Sequence, residues 1–315
     1  LNLESLFGEA EPNPNPIPLL PGREDIQLGI PITDRPAAKP YEESMFSKAM
    51  QAPKGMMSVD LPFMTSAAFR QAKPLAWTTE WFKAWGKAAK AYGDEGAFQT
   101  IMDDIHSSKY FKPRYKPSYN SKGEITGYKE VPSPAEEIGV HLSEGKFVPR
   151  EEQLGSQLAE QIPGYGNIVR RSNRAYAAFL NHLRKTKTEE LLDQLKWSGN
   201  ENDKVVAKGL GEFVMDATGR GSLKWAGPGG RQANLERIAP VLKNTMWSPR
   251  LFAANTKFLN PFTYTSLPDP VRRQYIGGAL RMSATWLSFA GLAKMAGAEV
   301  SLDPTNSDFG KIKIG

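Results

Sequence analysis

The clearest alternation of apolar and polar positions lies between residues 163 and 196. At about 100° per residue, its apolar side chains fall on one side of a helix: Val169, Tyr176, Phe179, Leu180 and Leu183. The other side carries polar and basic residues: Arg170, Arg174, Asn181 and Lys185. No acid occurs between residues 163 and 188. The pattern predicts a long helix that packs into a helical body through one face and offers an unpaired basic face to a partner.

Helical periodicity predicts shorter helices along the rest of the chain after residue 60. Capping signals mark several ends: Thr78 or Thr79, Ser248-Pro249, and Gly219 as a C-cap glycine. In the helix that follows Thr79, an aromatic stripe predicts a core contact rather than a membrane-surface helix: Trp81, Trp85 and Tyr92. The predicted helical segments are 65–73, a helix from 78 or 79, 95–107, 134–139, 149–161, 163–196, 202–218, a helix from 248, and 270–298.

One stretch between these helices departs from helical periodicity. Residues 115–120 and 124–130 flank Ser121-Lys-Gly, which predicts a β-hairpin over about 115–130. Rings alternate with positive charges there, as a single-stranded nucleic-acid platform requires, although Tyr and Lys are also common on ordinary exposed hairpins. Candidates for contact with nucleic acid or an acidic partner come from this stretch and the long helix: Lys112, Arg114, Lys116, Arg170, Arg171, Arg174 and Lys185.

Residues 1–60 do not show the pattern of a folded domain. The run EPNPNPIP favours polyproline II, because each proline fixes φ and removes a backbone donor. We predict an extended Pro-rich arm (1–60), a helical region with the basic and aromatic hairpin (61–160), a helical domain around the long basic helix (161–260), and a last helix with the start of a following segment (261–315). The fold class is mainly α, an elongated multi-helix assembly.

The last predicted helix, 270–298, carries a small residue at every seventh position: Gly277, Ala284, Gly291 and Ala298. Such a seam lets another backbone approach closely. The uncharged run between Arg281 and Lys294 is about 18 Å long at 1.5 Å per residue, short of the roughly 30 Å of a bilayer core. We therefore favour a helix buried in an assembly, with transient membrane contact as the alternative.

Composition and candidate chemistry favour binding over catalysis. The 315 residues carry a net charge of +6, which mildly favours polyanionic partners. The absence of cysteine excludes disulfides, thiolate catalysis and Cys-based metal sites. His106, His141 and His182 lie far apart, and no nucleophile elbow or HExxH motif occurs. We predict no catalytic residue, metal or cofactor in this segment.

Several runs resemble one domain of the large polyvalent proteins of bacteriophages and related mobile elements. They are PGYGNIVRRSNRAYAAFLNHLR, FVMDATGRGSL, WSPRLFAANTKFLNP, and the C-terminal run that begins DPVRRQYIGGALRMSATWLSF. The runs RQAKPLAW and YGDEGAFQTIMDDIHSS are similar to the region just before that domain. The resemblance covers roughly residues 60–315, and its motifs are distinctive in combination.

The resemblance implies a segment of a phage internal virion (ejection) protein that is packaged in the particle and delivered with the genome. It implies partners among portal or tail proteins, copies of itself and other ejection proteins. The expected location is the virion interior, then the host periplasm or cytoplasm, and the chain is expected to continue past Gly315. No catalytic residue is carried over. The alternative is a soluble nucleic-acid-binding module that acts in the host after delivery.

Overall fold

The computed structural model describes residues 67–121, 124–143, 165–227, 232–239, 242, 248–301, 305–306 and 311–313. This part of the chain is mainly α-helical, which confirms the predicted fold class. It divides into two compact units: the hairpin segment Pro113–Val131, and a helical unit formed by the described residues before and after it. The predicted arm (1–60) and the predicted helix 149–161 lie outside the described residues.

The helical unit contains eight α-helices among its described residues: α1 Thr79–Gly93, α2 Glu95–His106, α3 Pro134–Glu137, α4 Tyr165–Gln194, α5 Glu201–Ala217, α6 Pro249–Leu259, α7 Pro261–Thr265 and α8 Asp269–Met295. A π-helical turn (Ala67–Gln71) and a 3-10 turn (Lys73–Leu75) precede α1, and a further 3-10 turn spans Glu236–Ile238. No described helix combines the length and apolarity needed to span a bilayer.

The strands form three antiparallel two-stranded ladders within the described residues. They are β1 Arg114–Tyr119 with β2 Ile125–Val131, β3 Lys224–Ala226 with β4 Gln232–Asn234, and β5 Glu299–Val300 with β6 Ile312–Lys313. The first ladder confirms the predicted hairpin. The second was not predicted from the sequence, because strands of three residues are too short to show a period-two pattern.

Local capping chemistry sets several helix ends. The Thr78 hydroxyl accepts a hydrogen bond from the Trp81 backbone N–H and so starts α1. Gly219 follows α5 with φ of +73°, and its N–H donates to the Asp216 carbonyl while the next N–H donates to Met215, a full Schellman motif. Pro249 opens α6 as predicted, but the side chain of the preceding serine makes no capping hydrogen bond.

The larger of the two hydrophobic clusters among the described residues joins most helices of the helical unit. Trp81 of α1 lies edge-on against Phe179 of α4, with 6.3 Å between ring centroids. Phe213 of α5, Phe258 of α6 and Tyr275 of α8 form a second ring group, with centroids 5.1 to 6.1 Å apart. The predicted aromatic stripe of α1 contributes to this core. Residues from all three segments predicted after residue 60 therefore share one core.

The two ends of the hairpin segment are joined within the helical unit. The Ala135 N–H, at the start of α3, donates to the Tyr110 carbonyl at 2.9 Å. The Tyr110 hydroxyl in turn donates to the Asp193 carboxylate at 2.7 Å, and Lys109 pairs with the same carboxylate at 2.8 Å. The residues just before and just after the hairpin segment are therefore held next to each other by hydrogen bonds of the helical unit.

Candidate interaction surfaces

The basic face of α4 is neutralised at Arg174 by residues of α1 and α2. The Arg174 Nε donates to the Ala91 carbonyl at 3.3 Å, and its Nη1 lies 3.3 Å from the Glu95 carboxylate. Only 19% of the Arg174 side chain is exposed. The predicted unpaired basic face is therefore wrong at this position, because a carboxylate far away in the sequence meets the guanidinium.

Lys185, the other end of the predicted basic face, is also paired. Its Nζ lies 3.1 Å from an Asp104 oxygen and 3.9 Å from a Glu189 oxygen. Lys87 approaches the same Asp104 oxygen at 3.5 Å. Desolvation opposes ionisation of Asp104, but the hydrogen bonds and charges of the two lysines outweigh it, so the pKa of Asp104 is lowered. Lys185 thus belongs to an internal charge cluster.

The polar side of α4 is buried further along, where it holds the segment after α3. Asn181 accepts a hydrogen bond from the Ser143 N–H at 2.8 Å. The Arg184 side chain is fully buried and donates to the Thr218 hydroxyl, the His141 carbonyl and the Ser143 hydroxyl at 3.0 to 3.2 Å. Residues 177–184 are all buried, so this part of α4 presents no solvent face.

Arg170 and Arg171, near the start of α4, have exposed side chains. Their contact with nucleic acid or an acidic partner stays a prediction. The exposed part of the predicted basic face is therefore confined to the first two turns of α4, which the sequence pattern alone did not reveal.

The hairpin places Arg114, Lys116 and Lys129 on one face and the rings of Tyr115 and Tyr128 on the other. Because side chains alternate along a strand, Arg114 and Lys116 share one face of β1. Lys116 lies directly opposite Lys129 of β2, and like charges in that position repel. Tyr115 and Tyr128 belong to the other face. A stacking platform needs rings beside the charges, so the hairpin offers a basic face instead. Lys112, just before the hairpin, is also exposed.

The predicted packing seam of α8 does not mediate packing within the described chain. Its residues are exposed or half-buried: Gly277, Ala284, Gly291 and Ala298. The buried face of α8 is a different one: Val271, Tyr275, Gly278, Met282, Thr285 and Ala290. Gly278 makes the close approach, because a Cβ there would lie 2.7 Å from the Phe258 ring. The packing glycine is thus one residue, or 100°, away from the predicted seam, and Ala298 follows the end of the helix.

The outward face of α8 carries large apolar side chains between these small residues. They are Ile276, Leu280, Leu287, Phe289, Leu292 and Met295. Leu280 is 67% exposed and Met295 is 86% exposed. Isolated exposed apolar residues are normal on a protein surface, but six along one helix form an interaction surface. The sequence reveals this helix as apolar without showing which side is outward.

A second exposed apolar group, missed by sequence reasoning, lies where the chain enters α1. Trp77 is 48% exposed and has φ of +67°, a left-handed conformation that costs a non-glycine residue about 1–2 kcal/mol. Its Nε1 donates to the Thr285 hydroxyl of α8 at 3.0 Å. Its ring lies 6.3 Å from that of Phe82, which is 51% exposed. A strained, exposed tryptophan fixed by a hydrogen bond is a candidate contact residue.

The most buried charge cluster of the described residues links α5, α6 and α8. The Asp216 carboxylate accepts hydrogen bonds from Lys257 Nζ at 3.0 and 3.2 Å and from the Tyr275 hydroxyl. Lys257 also bonds the Ser222 hydroxyl at 2.9 Å. Burial raises the pKa of Asp216, with Lys257 opposing, and burial raises the pKa of Tyr275 well above its usual value. The cluster is enclosed and holds three helices together.

His182 of α4 is another buried titratable side chain of the helical unit. Burial, with the nearby charge of Lys87, lowers its pKa to about 4. Its Nε2 lies 3.6 Å from the Glu80 carboxylate, and neither ring nitrogen makes a hydrogen bond within the described part of the chain. No group of three His, Cys, Asp or Glu side chains among the described residues converges to hold a metal ion. His182 is therefore a neutral buried imidazole.

Comparison with known proteins found no matching family model, no matching curated protein and no matching solved structure.

Proposed function

We propose that this chain is a structural segment of a phage internal virion (ejection) protein, held at the portal or tail and delivered with the genome. The observation that carries the structural role is the exposed apolar face of α8. Full burial of a large apolar side chain is worth about 1.5–3 kcal/mol, and each of these side chains forgoes part of it in water. A neighbouring subunit that covers the face recovers part of this energy.

The phage setting rests on the resemblance of the sequence runs. The run DPVRRQYIGGALRMSATWLSF forms most of α8, so the segment that carries the resemblance also carries the exposed apolar face. Trp77, hydrogen-bonded to Thr285 on the buried side of α8, is part of a second exposed apolar group at the start of α1. In this role, these residues contact portal, tail or other ejection proteins.

The test places the chain in the particle and names its neighbour. A photo-crosslinking amino acid at Leu280 should capture a virion protein in purified particles, identified by mass spectrometry. The same amino acid at Lys83 is the matched control, because its side chain is 60% exposed on α1 and pairs with Glu80. Cryo-electron microscopy of the same particles should show density in the portal or tail lumen. Absence of the chain from purified particles would overturn the virion setting.

A second candidate function, nucleic-acid binding in the host, is favoured by the basic face of the hairpin. Lys116 and Lys129 repel each other across the strands, and an anionic backbone between them would relieve that repulsion. The double variant Lys116→Gln/Lys129→Gln should weaken DNA binding and reduce the salt slope by about 2. Lys185→Gln is the control, since Lys185 is already neutralised by Asp104. Binding that is independent of salt would exclude this function.

A further inference from the structure

The outward face of α8 has a regular order of large and small side chains. Leu280, Ala284, Leu287 and Gly291 follow one another at spacings of four, three and four residues, which are the core positions of a heptad. All four residues lie on the exposed side of the helix, away from its buried face. The order is large, small, large, small.

Two copies of this helix face are complementary in shape when the helices run antiparallel. If Ala284 of one helix faces Leu287 of an antiparallel copy, then Leu280 faces Gly291, and every large side chain meets a small one. A parallel copy in register would instead place leucine against leucine and glycine against glycine. Antiparallel coiled coils form such mixed core layers, and small residues allow the backbones to approach closely.

We propose that α8 pairs with α8 of a second copy of this chain, antiparallel, about a two-fold axis that passes between Thr285 and Trp286. The next layer outward puts Lys294 over Gly277 of the other copy. The aliphatic stem of the lysine covers the glycine while its charged end reaches water. The same patch is used on both copies, as a two-fold interface requires.

The available area fits a reversible dimer. The helix from Arg273 to Met295 is about 33 Å long and about 10 to 12 Å wide, so each copy contributes roughly 350 Å². A standard stable interface needs about 800 Å² per partner. The pairing of α8 alone should therefore have a dissociation constant in the micromolar range, and neighbouring contacts in an assembly would strengthen it.

This inference rests on the proposed assembly role, because it names the partner for one part of that surface. Its failure is distinguishable from failure of the virion setting. A chain that is found in particles but does not pair through α8 overturns the pairing alone. A chain that pairs through α8 but is missing from particles overturns the virion setting alone.

The first test is analytical ultracentrifugation of the 315-residue chain over a micromolar concentration series. Gly291→Leu should raise the dimer dissociation constant at least about 30-fold, because the new side chain meets Leu280 of the other copy in two symmetric layers. No atom lies within 4 Å of a Cβ at Gly291, and leucine has the higher helix propensity, so the melting temperature should stay equal or rise. Gly86→Leu on α1 is the matched control, since Gly86 is also exposed with open space around it.

The second test restores the packing between positions 280 and 291 by exchanging the large and the small side chain. In the double variant Leu280→Ala/Gly291→Leu, the large side chain moves to the other helix and again faces a small one. The double variant should recover dimerisation to within about threefold of the original chain. A double variant as monomeric as Gly291→Leu alone would overturn the register.

The third test fixes the direction of the two helices. Because the chain has no cysteine, Gly277→Cys and Lys294→Cys can each be made as the only thiol. An equimolar mixture should form a disulfide between the two variants under mild oxidation. Either variant alone should not, because the two copies of its thiol lie about 25 Å apart along the helix axis. Disulfides within a single variant, or a chain that stays monomeric throughout the series, would overturn the proposal.

Discussion

Replacement of Lys257 by methionine tests the buried charge cluster most directly. Lys257 is 6% exposed and gives the Asp216 carboxylate two of its hydrogen bonds. Methionine fills a similar volume but carries no charge and no donor. Tyr275 would then remain as the hydroxyl donor to a carboxylate that is fully enclosed.

The expected loss of unfolding free energy is about 3–5 kcal/mol, since removal of one partner leaves an uncompensated buried charge. This is a large fraction of the roughly 5–15 kcal/mol that stabilises a typical domain. The double variant Asp216→Asn/Lys257→Met removes both charges and keeps an acceptor for Tyr275. Its free energy of unfolding should be at least about 2 kcal/mol higher than the value expected if the losses of Asp216→Asn and Lys257→Met simply added.

Urea unfolding followed by tryptophan fluorescence measures each free energy. Lys83→Met is the matched control, because Lys83 pairs with Glu80 at the surface and should change stability by less than about 1 kcal/mol. Burial raises the pKa of Asp216, and loss of Lys257 raises it further, so the folded variant takes up a proton that the unfolded chain releases. The loss in Lys257→Met should therefore shrink as the pH falls. Single losses that simply add, or a loss that does not depend on pH, would refute a coupled charge cluster.

Two further changes probe other buried positions. His182 has a pKa of about 4, below its ordinary 6.5, so the unfolded chain binds the proton more tightly than the folded chain. The contribution of neutral His182 to stability is therefore complete above pH 6.5, and the free energy of unfolding falls by roughly 2–3 kcal/mol towards pH 4. His182→Gln should flatten that profile in urea titrations, and an unchanged profile would contradict it. Gly211→Ala should lower the melting temperature through a loss of about 1–3 kcal/mol, because its Cβ would overlap the Ile138 carbonyl. Gly86→Ala should instead gain up to about 1 kcal/mol, and equal effects at the two glycines would contradict the packing.

The parts of this fold that depend on nearby residues could be predicted from the sequence. Thr78 and Gly219 set helix ends through backbone hydrogen bonds within a few residues, so local chemistry is sufficient. The hairpin likewise follows from its turn and alternation. The partners of charged groups could not be predicted in this way. Glu95 reaches Arg174 across 79 positions, and the sequence gives the charge without its neighbour.

The direction of α8 could not be predicted for a different reason. Both of its sides are apolar, so hydrophobic periodicity does not distinguish the core face from the outward face. The small residues at every seventh position drew attention to Gly277, but tertiary contacts use Gly278. The choice between two neighbouring glycines is decided by the Phe258 ring, which belongs to another helix. The predicted seam therefore lies on the side of α8 that faces away from the core, and its packing against another chain stays a prediction.

The hydrogen bond between Tyr110 and Ala135 makes the hairpin segment an exchangeable cassette. Because the chain leaves and returns at one fastened point, the 113–131 segment can be shortened, replaced or enlarged while α2 and α3 keep their anchors. A small rigid tag inserted at the turn of the hairpin would serve as a visible marker for this chain in images of a large assembly.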